Sequence, residues 1–128
     1  DYYWIKSVKK TTIIRDKLMT DEVRKIYQNK DILFSNYTIF YPNTILKPHK
    51  DPDILRYPYR RIQIPLVVPD TRKCYMEWVD IKGGISMWEE GKPQICDVMR
   101  YTHQAYNYSD KPLEILFVDI KHDTEVEL

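Results

Sequence analysis

Residues 60–66 of the chain read RRIQIPL, and apolar and polar side chains alternate along this stretch. In an extended strand, Ile62, Ile64 and Leu66 lie on one face, and Arg61 and Gln63 lie on the other. In a barrel wide enough for a ligand the second face would line the cavity, whereas in a simpler sheet it would face water. Alternation alone does not separate these two interpretations, but both require a β-strand here.

Further runs of β-branched and aromatic residues are separated by proline, asparagine or glycine turn signals, which is typical of a sandwich or barrel. Ahead of them, over residues 11–30, apolar side chains fall near helical spacing. We therefore predict a mainly β jelly roll with a short N-terminal helical segment and a β core over residues 32–120. The runs are residues 33–41, 44–46, 60–67, 74–79, 85–88, 94–97, 102–107 and 113–120.

Length and composition bound the organisation of the chain. With 128 residues and no linker, repeat or low-complexity segment, residues 1–128 are expected to form a single domain. The net charge of +1 does not favour nucleic acid or an acidic membrane as a partner, and no apolar run is long enough to span a bilayer. Cys74 and Cys96 lie in predicted strands without CxxC spacing, which indicates reduced core thiols and a cytoplasmic protein.

Three side chains have the types and spacing of a metal site. His49 and Asp51 lie two residues apart in the segment PHKD, so an extended chain projects both to the same side. His103, in another predicted strand, can supply a third ligand. Two imidazoles and one carboxylate on one face of an octahedral ion leave positions open for a chelating cosubstrate and oxygen. Such a pattern also arises by chance in chains with three histidines. The remaining one, His122, lies in a charged tail and is expected to be solvated.

The segment from Tyr37 to Asp119 resembles the catalytic core of the aspartyl/asparaginyl β-hydroxylase family. Several matches keep the order and spacing of that family, which makes them more specific than an HxD motif with one distant histidine. They are Thr38, Pro42, Thr44 and Pro48 ahead of His49; Arg61 followed by LVVP at 66–69; WEEGK at 88–92 and then Asp97; and His103, Asn107, SD at 109–110 and FVD at 117–119.

This resemblance implies a double-stranded β-helix that binds Fe(II) and the cosubstrate 2-oxoglutarate and hydroxylates an unactivated C–H bond. By position, His49, Asp51 and His103 are the implied iron ligands. Some family members carry glycine at the place of Asp51, so its presence here suggests the complete triad; the alternative is an aspartate that forms a turn before Pro52. The implied partner is an amino-acid-like, peptide or other small-molecule substrate. Neither the substrate nor the oligomeric state follows from the sequence.

The resemblance also places three residues at the cosubstrate. Arg61 stands where the family uses an arginine to hold 2-oxoglutarate, since a guanidinium can grip a carboxylate through two hydrogen bonds. Thr38 stands at the position of a serine hydroxyl. Gln63 replaces a histidine, and its amide can still donate one hydrogen bond.

The largest departure from the family lies at Leu113, where related enzymes carry an arginine that pairs with the distal carboxylate of 2-oxoglutarate. A buried carboxylate without a cationic partner is strongly unfavourable. Lys111 and Arg100 are the two nearby cations that could substitute for that arginine. Two alternatives to the oxygenase therefore stay open: a cupin-type metalloprotein that does not use 2-oxoglutarate, and a binding module that has lost catalysis on the same scaffold.

Tyrosines flank the proposed metal segments, and two interpretations of them remain. Either they form a substrate rim, since tyrosine offers an apolar face with a polar tip, or they pack on their strand neighbours. The loop over residues 50–59 follows the first ligands directly and is the expected substrate-facing element. The tyrosines concerned are Tyr57, Tyr59, Tyr101, Tyr106 and Tyr108.

Overall fold

A computed structural model describes residues 5–8, 32–51 and 58–125 of the chain, with the side chains of 5–8 excepted. These residues form nine β-strands: β1 (Ile5–Val8), β2 (Ile32–Phe40), β3 (Thr44–His49), β4 (Tyr59–Val67), β5 (Cys74–Trp78), β6 (Ile85–Met87), β7 (Gln94–Cys96), β8 (His103–Asn107) and β9 (Leu113–Lys121). The prediction of a mainly β fold is confirmed, and β2 to β9 match the predicted runs. Strand β1 was not predicted, and the helical segment expected over 11–30 lies outside the described residues.

The strands form two antiparallel sheets. One has five strands in the order β1-β2-β9-β4-β7, and the other has four in the order β3-β8-β5-β6. Chain-consecutive strands such as β8 and β9 lie in different sheets, so the chain passes repeatedly from one layer to the other. This is the topology of a jelly roll.

The core between the sheets draws side chains from both layers. From the five-stranded sheet come Phe40 and Leu113, which are 2% and 0% exposed, and from the four-stranded sheet come Met76 and Ala105. Trp88, from the segment between β6 and β7, packs into the same cluster. Burial of this apolar surface is the main stabilising contribution that holds the two layers together.

Both faces of β4 are buried, which answers the question that its alternation left open. Ile62 and Ile64 pack with residues of β9 in a second apolar cluster on the other side of the five-stranded sheet. Arg61 and Gln63 point instead between the two sheets, where they line a cavity. The polar face of RRIQIPL is therefore the lining of a cavity and not a solvated surface.

Asn107 ties together the turns at one end of the jelly roll. Its side chain is fully buried, and its amide nitrogen donates to the carbonyl oxygens of Phe40 and Lys111 at 3.0 and 2.9 Å. Its amide oxygen accepts from the backbone N–H and the hydroxyl of Ser109. One side chain thus holds the β2–β3 turn against the β8–β9 turn.

The tyrosines do not form one rim around the proposed metal segments. Tyr59 is 1% exposed and belongs to the core. Tyr106 packs on Tyr75 and Tyr108, with ring centroids 4.9 and 5.0 Å apart, on the outer face of the four-stranded sheet. Tyr101 is exposed and meets Trp78 edge to face. Packing on neighbours accounts for these residues, while residues 52–57 of the expected substrate loop lie outside the described part of the chain.

Candidate metal centre

A β-bulge turns the first histidine inward. Along β3, Leu46 pairs with Ala105, but His49 pairs with His103, so the β3 side holds one extra residue between the two pairs. Regular alternation after Leu46 would point Pro48 inward, and the extra residue brings His49 to that side instead. Proline has no N–H to donate to a strand neighbour, which makes this position suited to a bulge.

The three predicted ligands converge at one point. His103 Nε2 lies 3.0 Å from Asp51 Oδ1, and His49 Nε2 lies 3.2 Å from the same oxygen. The three ligand atoms all lie within 4.8 Å of one another. Adjacent ligands about 2.1 Å from an octahedral ion are about 3.0 Å apart, so the two short distances match neighbouring positions on such an ion.

Backbone carbonyls determine which ring nitrogen of each histidine faces the site. Nδ1 of His49 lies 2.6 Å from the carbonyl oxygen of Lys47, and Nδ1 of His103 lies 2.9 Å from that of Tyr101. Because a carbonyl oxygen only accepts, each Nδ1 donates, and each neutral ring presents the Nε2 lone pair to the site. The two Nε2 lone pairs then face one carboxylate oxygen of Asp51. All three atoms are electron-pair donors, and a divalent cation between them would satisfy all three. The residues present therefore fit a metal ion.

Arg61 connects the carboxylate of this cluster to a second buried acid. One guanidinium nitrogen, Nη1, lies 2.7 Å from Asp51 Oδ2, which leaves Oδ1 for the metal position. The other edge of the guanidinium grips Asp119, with Nε 2.7 Å from Oδ1 and Nη2 3.1 Å from Oδ2. Arg61 and Asp119 are cross-strand partners on β4 and β9, so the ladder itself brings this pair together.

The electrostatics of the cluster favour an ionised Asp51 beside a cation. Burial raises the pKa of Asp51, but its contacts with His103, His49 and Arg61 outweigh burial and hold that pKa well below its usual range. The hydrogen bond with Asp51 raises the pKa of His49. Burial raises the pKa of Asp119, and the Arg61 guanidinium offsets part of that effect.

A cavity of about 290 Å³ opens between the sheets beside the three ligands. All the site residues predicted from the sequence line it: His49, Asp51, His103, Arg61, Thr38 and Gln63. Thr38 is 1% exposed, and its hydroxyl has no hydrogen-bond partner among the described residues. The Gln63 amide is engaged: its oxygen accepts from Trp88 Nε1 at 2.9 Å, and its nitrogen lies 2.9 Å from Met76 Sδ.

The site includes two residues to which the sequence had assigned no role. Asp119 was noted in the family segment FVD, and its pairing with Arg61 follows from the alternation of β9, which turns Leu113, Ile115, Phe117 and Asp119 to one side. Trp88 was noted only as part of the family segment WEEGK; it is 1% exposed and its Nε1 donates a hydrogen bond to Gln63. Strand register would have identified Asp119, whereas no local pattern indicates the contact of Trp88.

Within the described part of the chain, the cavity offers the distal carboxylate of 2-oxoglutarate no cation that is free of another carboxylate. Leu113 is fully buried in the apolar cluster of Phe40, Met76 and Trp88. Lys111 and Arg100 are exposed, and neither lines the cavity. Among the described residues, Arg61 is the cavity's only lysine or arginine, and its guanidinium already contacts two carboxylates.

His122 is not simply solvated, which corrects the expectation from the sequence. Its Nε2 lies 3.1 Å from Asp97 Oδ2, and its backbone N–H donates to the carbonyl of Pro58. The side chain is 40% exposed. His122 is separate from the three ligands and ties the segment after β9 to the start of β4 and the end of β7.

The fold and the site together define a class: a jelly-roll protein with a cluster of two histidines and one carboxylate in its cavity, arranged so that it could hold a metal ion. The family model described as aspartyl/asparaginyl β-hydroxylase matches residues 8–123. The chain belongs to this family, which confirms the resemblance found in its sequence.

One characterised relative is similar over part of its length. The ornithine lipid ester-linked acyl 2-hydroxylase of Rhizobium tropici is 34% identical over 85 residues, which cover 65% of this chain and 27% of that protein. The match therefore spans about a quarter of the relative. Both the family description and the name of this relative are those of hydroxylases, so the family is one of enzymes.

Solved structures of the cupin type share the fold. A cupin domain from a transcriptional regulator of Enterobacter cloacae has a TM-score of 0.54 at 10% identity, and the match covers 98% of this chain and all of that one. A predicted oxalate decarboxylase of Thermotoga maritima has a TM-score of 0.52 at 16% identity, covering 76% of this chain and 73% of the other. At such identities these matches support the jelly-roll architecture alone.

The described part of the chain contains no helix that could span a lipid bilayer.

Proposed function

We propose that this chain is an Fe(II)-dependent oxygenase that hydroxylates a C–H bond at the expense of a 2-oxo acid, of which 2-oxoglutarate is the one that the family resemblance implies. The observation that carries the proposal is the convergence of two Nε2 lone pairs and one carboxylate oxygen in a cavity between the sheets. A facial set of two histidines and one carboxylate with open positions is the donor set of non-haem Fe(II) oxygenases. When bound, the iron supplies the redox chemistry that activates oxygen.

The overall reaction balances without a further reductant. The 2-oxo acid loses carbon dioxide from its C1–C2 bond and becomes the carboxylic acid one carbon shorter. One atom of O₂ enters that acid, and the other enters the C–H bond of the substrate as a hydroxyl group. The oxo acid therefore supplies the electrons that the oxygenation needs.

The residues of this chain hold and orient the reacting groups. The carbonyls of Lys47 and Tyr101 fix the ring orientations of His49 and His103, and Arg61 fixes the carboxylate of Asp51. Removing a hydrogen-bonding partner of a metal ligand commonly lowers metal affinity about 10-fold or more. The apolar walls of the cavity keep bulk water from the reaction.

The proposed substrate is an amino-acid-like, peptide or acyl-bearing small molecule that enters from the open side of the cavity. The family description points to aspartyl or asparaginyl groups, and the name of the Rhizobium relative points to an acyl chain. These share a C–H bond near a carbonyl group. We propose no nucleic acid or membrane partner, and a cytoplasmic location.

The test combines metal binding with turnover. Wild-type protein should bind Fe(II) anaerobically and, with oxygen and a 2-oxo acid, release carbon dioxide in a metal-dependent manner. Replacing His103 with Ala should abolish both, whereas the outer-face variant Gln104→Ala should retain them. Full turnover in the His103 variant would contradict the assignment of this residue.

A second candidate is a cupin-type metalloprotein that acts on a chelating substrate without a 2-oxo acid. The observation that favours it is that Leu113, where the family resemblance places an arginine, is fully buried in an apolar cluster. Fe(II) binding without a charge-transfer band on addition of any 2-oxo acid would select this candidate. Failure to bind Fe(II), Mn(II) or Ni(II) would instead indicate a binding module without catalysis.

A further inference from the structure

The cavity has a polar part and an apolar part. The three candidate ligands and Arg61 line the polar part, and Phe40, Leu46, Met76 and Trp88 line the apolar part, where the Gln63 amide is already engaged by Trp88 and Met76. A chelating 2-oxo acid bound at the metal position would direct its tail toward that apolar part. We propose that the oxo acid of this enzyme carries a single carboxylate and an uncharged tail, unlike 2-oxoglutarate; the inference rests on the proposed function.

The guanidinium of Arg61 is already engaged by two carboxylates. It makes three contacts of 2.7 to 3.1 Å with Asp51 and Asp119, and Asp119 is only 3% exposed. A bidentate pair of this kind is strong because both hydrogen bonds are charge-assisted. A second ligand carboxylate would have to compete with Asp119 for the same guanidinium.

The start of β9 carries the apolar residue Leu113. Strand β8 runs from His103 at the metal to Asn107 at the closed end, and β9 starts there with Leu113. A long cationic side chain at the start of β9 would extend back toward the metal and meet the tail of the oxo acid. Leu113 instead is buried in the same apolar cluster as the cavity-lining residues Phe40 and Trp88, so this position brings no cation to the tail.

The charge balance of the metal cluster also favours a monocarboxylate. With neutral histidines, a divalent ion together with Asp51, Asp119 and Arg61 carries a net charge of +1. A 2-oxo monocarboxylate neutralises that charge. A dicarboxylate leaves an extra negative charge in a buried cavity, which is unfavourable without a paired cation.

Thr38 offers the tail a neutral contact. Its buried hydroxyl has no partner among the described residues and borders the same cavity. A hydroxyl can donate one hydrogen bond to a carbonyl, ether or hydroxyl oxygen, but it does not neutralise a carboxylate. An uncharged tail that is mainly apolar, with or without one acceptor oxygen, therefore matches the lining.

The experiment compares two oxo acids of nearly equal shape on the Fe(II)-loaded protein under anaerobic conditions. One is 2-oxoglutarate, and the other is 5-methyl-2-oxohexanoate, in which an isopropyl group replaces the distal carboxylate. Binding is followed by the visible metal-to-ligand charge-transfer band, which requires no turnover. We expect the monocarboxylate to bind at least about tenfold more tightly, because its tail needs no cation.

Two variants of Leu113 sharpen the comparison. Leu113→Arg supplies the missing cation and should reverse the preference toward 2-oxoglutarate, whereas the volume-conserving control Leu113→Met should keep the wild-type preference. If the buried arginine prevents folding, the wild-type titration with the two acids decides the matter without it.

The outcomes separate this inference from the function on which it rests. Equal or tighter binding of 2-oxoglutarate by the wild type would overturn the inference and leave the oxygenase standing. Fe(II) binding without a band from either acid would overturn both the inference and the use of a 2-oxo acid. A protein that does not bind Fe(II) would overturn the oxygenase itself.

Discussion

At the scale of single residues, Asp51 and Asp119 are two buried acids with different partners. Asp51 directs one oxygen to the metal position and the other to Arg61, while Asp119 contacts Arg61 through both of its oxygens. Arg61 therefore acts on the metal centre through Asp51, and Asp119 holds Arg61 in place. The role of Asp119 is positioning, because it touches none of the metal ligands in these contacts.

Replacing Asp119 with Asn should destabilise the protein and weaken the metal centre. The amide keeps the shape but removes the charge that balances Arg61, and breaking a buried ion pair costs about 3 kcal/mol. Urea unfolding of the metal-free protein should show that loss, and a Mn(II) titration should show affinity reduced about tenfold. The matched control is Asp70→Asn, whose partner Arg72 is exposed; it should leave both quantities nearly unchanged. Unaltered metal affinity in the Asp119 variant would count against the positioning role.

At the scale of elements, the β3 bulge and the Asn107 hydrogen bonds set the two ends of the cavity. The bulge turns His49 inward at the open end. Asn107 fixes the turns at the closed end, where Leu113 begins β9. The positions of His49 and Leu113 therefore depend on short irregular segments as much as on the strands.

Replacing Asn107 with Ala should destabilise the fold without removing a ligand. The carbonyls of Phe40 and Lys111 and the hydroxyl of Ser109 would lose buried partners, and each such loss costs about 1 to 3 kcal/mol. We expect a total of about 3 kcal/mol in chemical denaturation, because some of these groups can reach water. Asp110→Ala, at an exposed position of the same turn, should change stability by less than about 0.5 kcal/mol. A loss below 1 kcal/mol for Asn107→Ala would show that the turns are held by other contacts.

At the scale of the whole molecule, metal binding couples to protonation. The hydrogen bond with Asp51 raises the pKa of His49 above the ordinary histidine value of about 6.5 in the metal-free protein. The stabilising contact with protonated His49 is complete below that value and is lost as pH rises through the folded-state pKa. A metal ion must displace the same proton, so metal affinity should increase with pH across this window.

Isothermal titration with Mn(II) checks this expectation. Between about pH 6 and about pH 8 the apparent affinity should rise, and at the lower pH binding should release close to one proton, seen by comparing buffers of different ionisation enthalpy. Asp51 should not contribute in this range, because its pKa lies well below the usual value. Affinity that is independent of pH would show that His49 is already deprotonated at the lower pH.

The two thiols should be inert in the folded protein. Burial raises the pKa of Cys96 to about 12 and also raises that of Cys74, and the side chains are 5% and 0% exposed. Iodoacetamide at neutral pH should therefore modify neither residue until denaturant is added, because the thiolate is the reactive form. Mass spectrometry before and after unfolding measures this, and rapid labelling of the native protein would contradict the packing around β5 and β7.

The sequence by itself predicted strands β2 to β9, the family and the three candidate ligands, because alternation, turn residues and motif spacing can be read from the order of residues alone. Residues 60–66 contain the pattern of β4, and the segment PHKD already holds two ligands at the correct separation. Only the tertiary structure decided which way Arg61 faces and with which acid it pairs, since that depends on how β9 lies against β4. It also decided that Leu113 is buried in an apolar cluster, because burial there results from residues of both sheets and of the segment that carries Trp88.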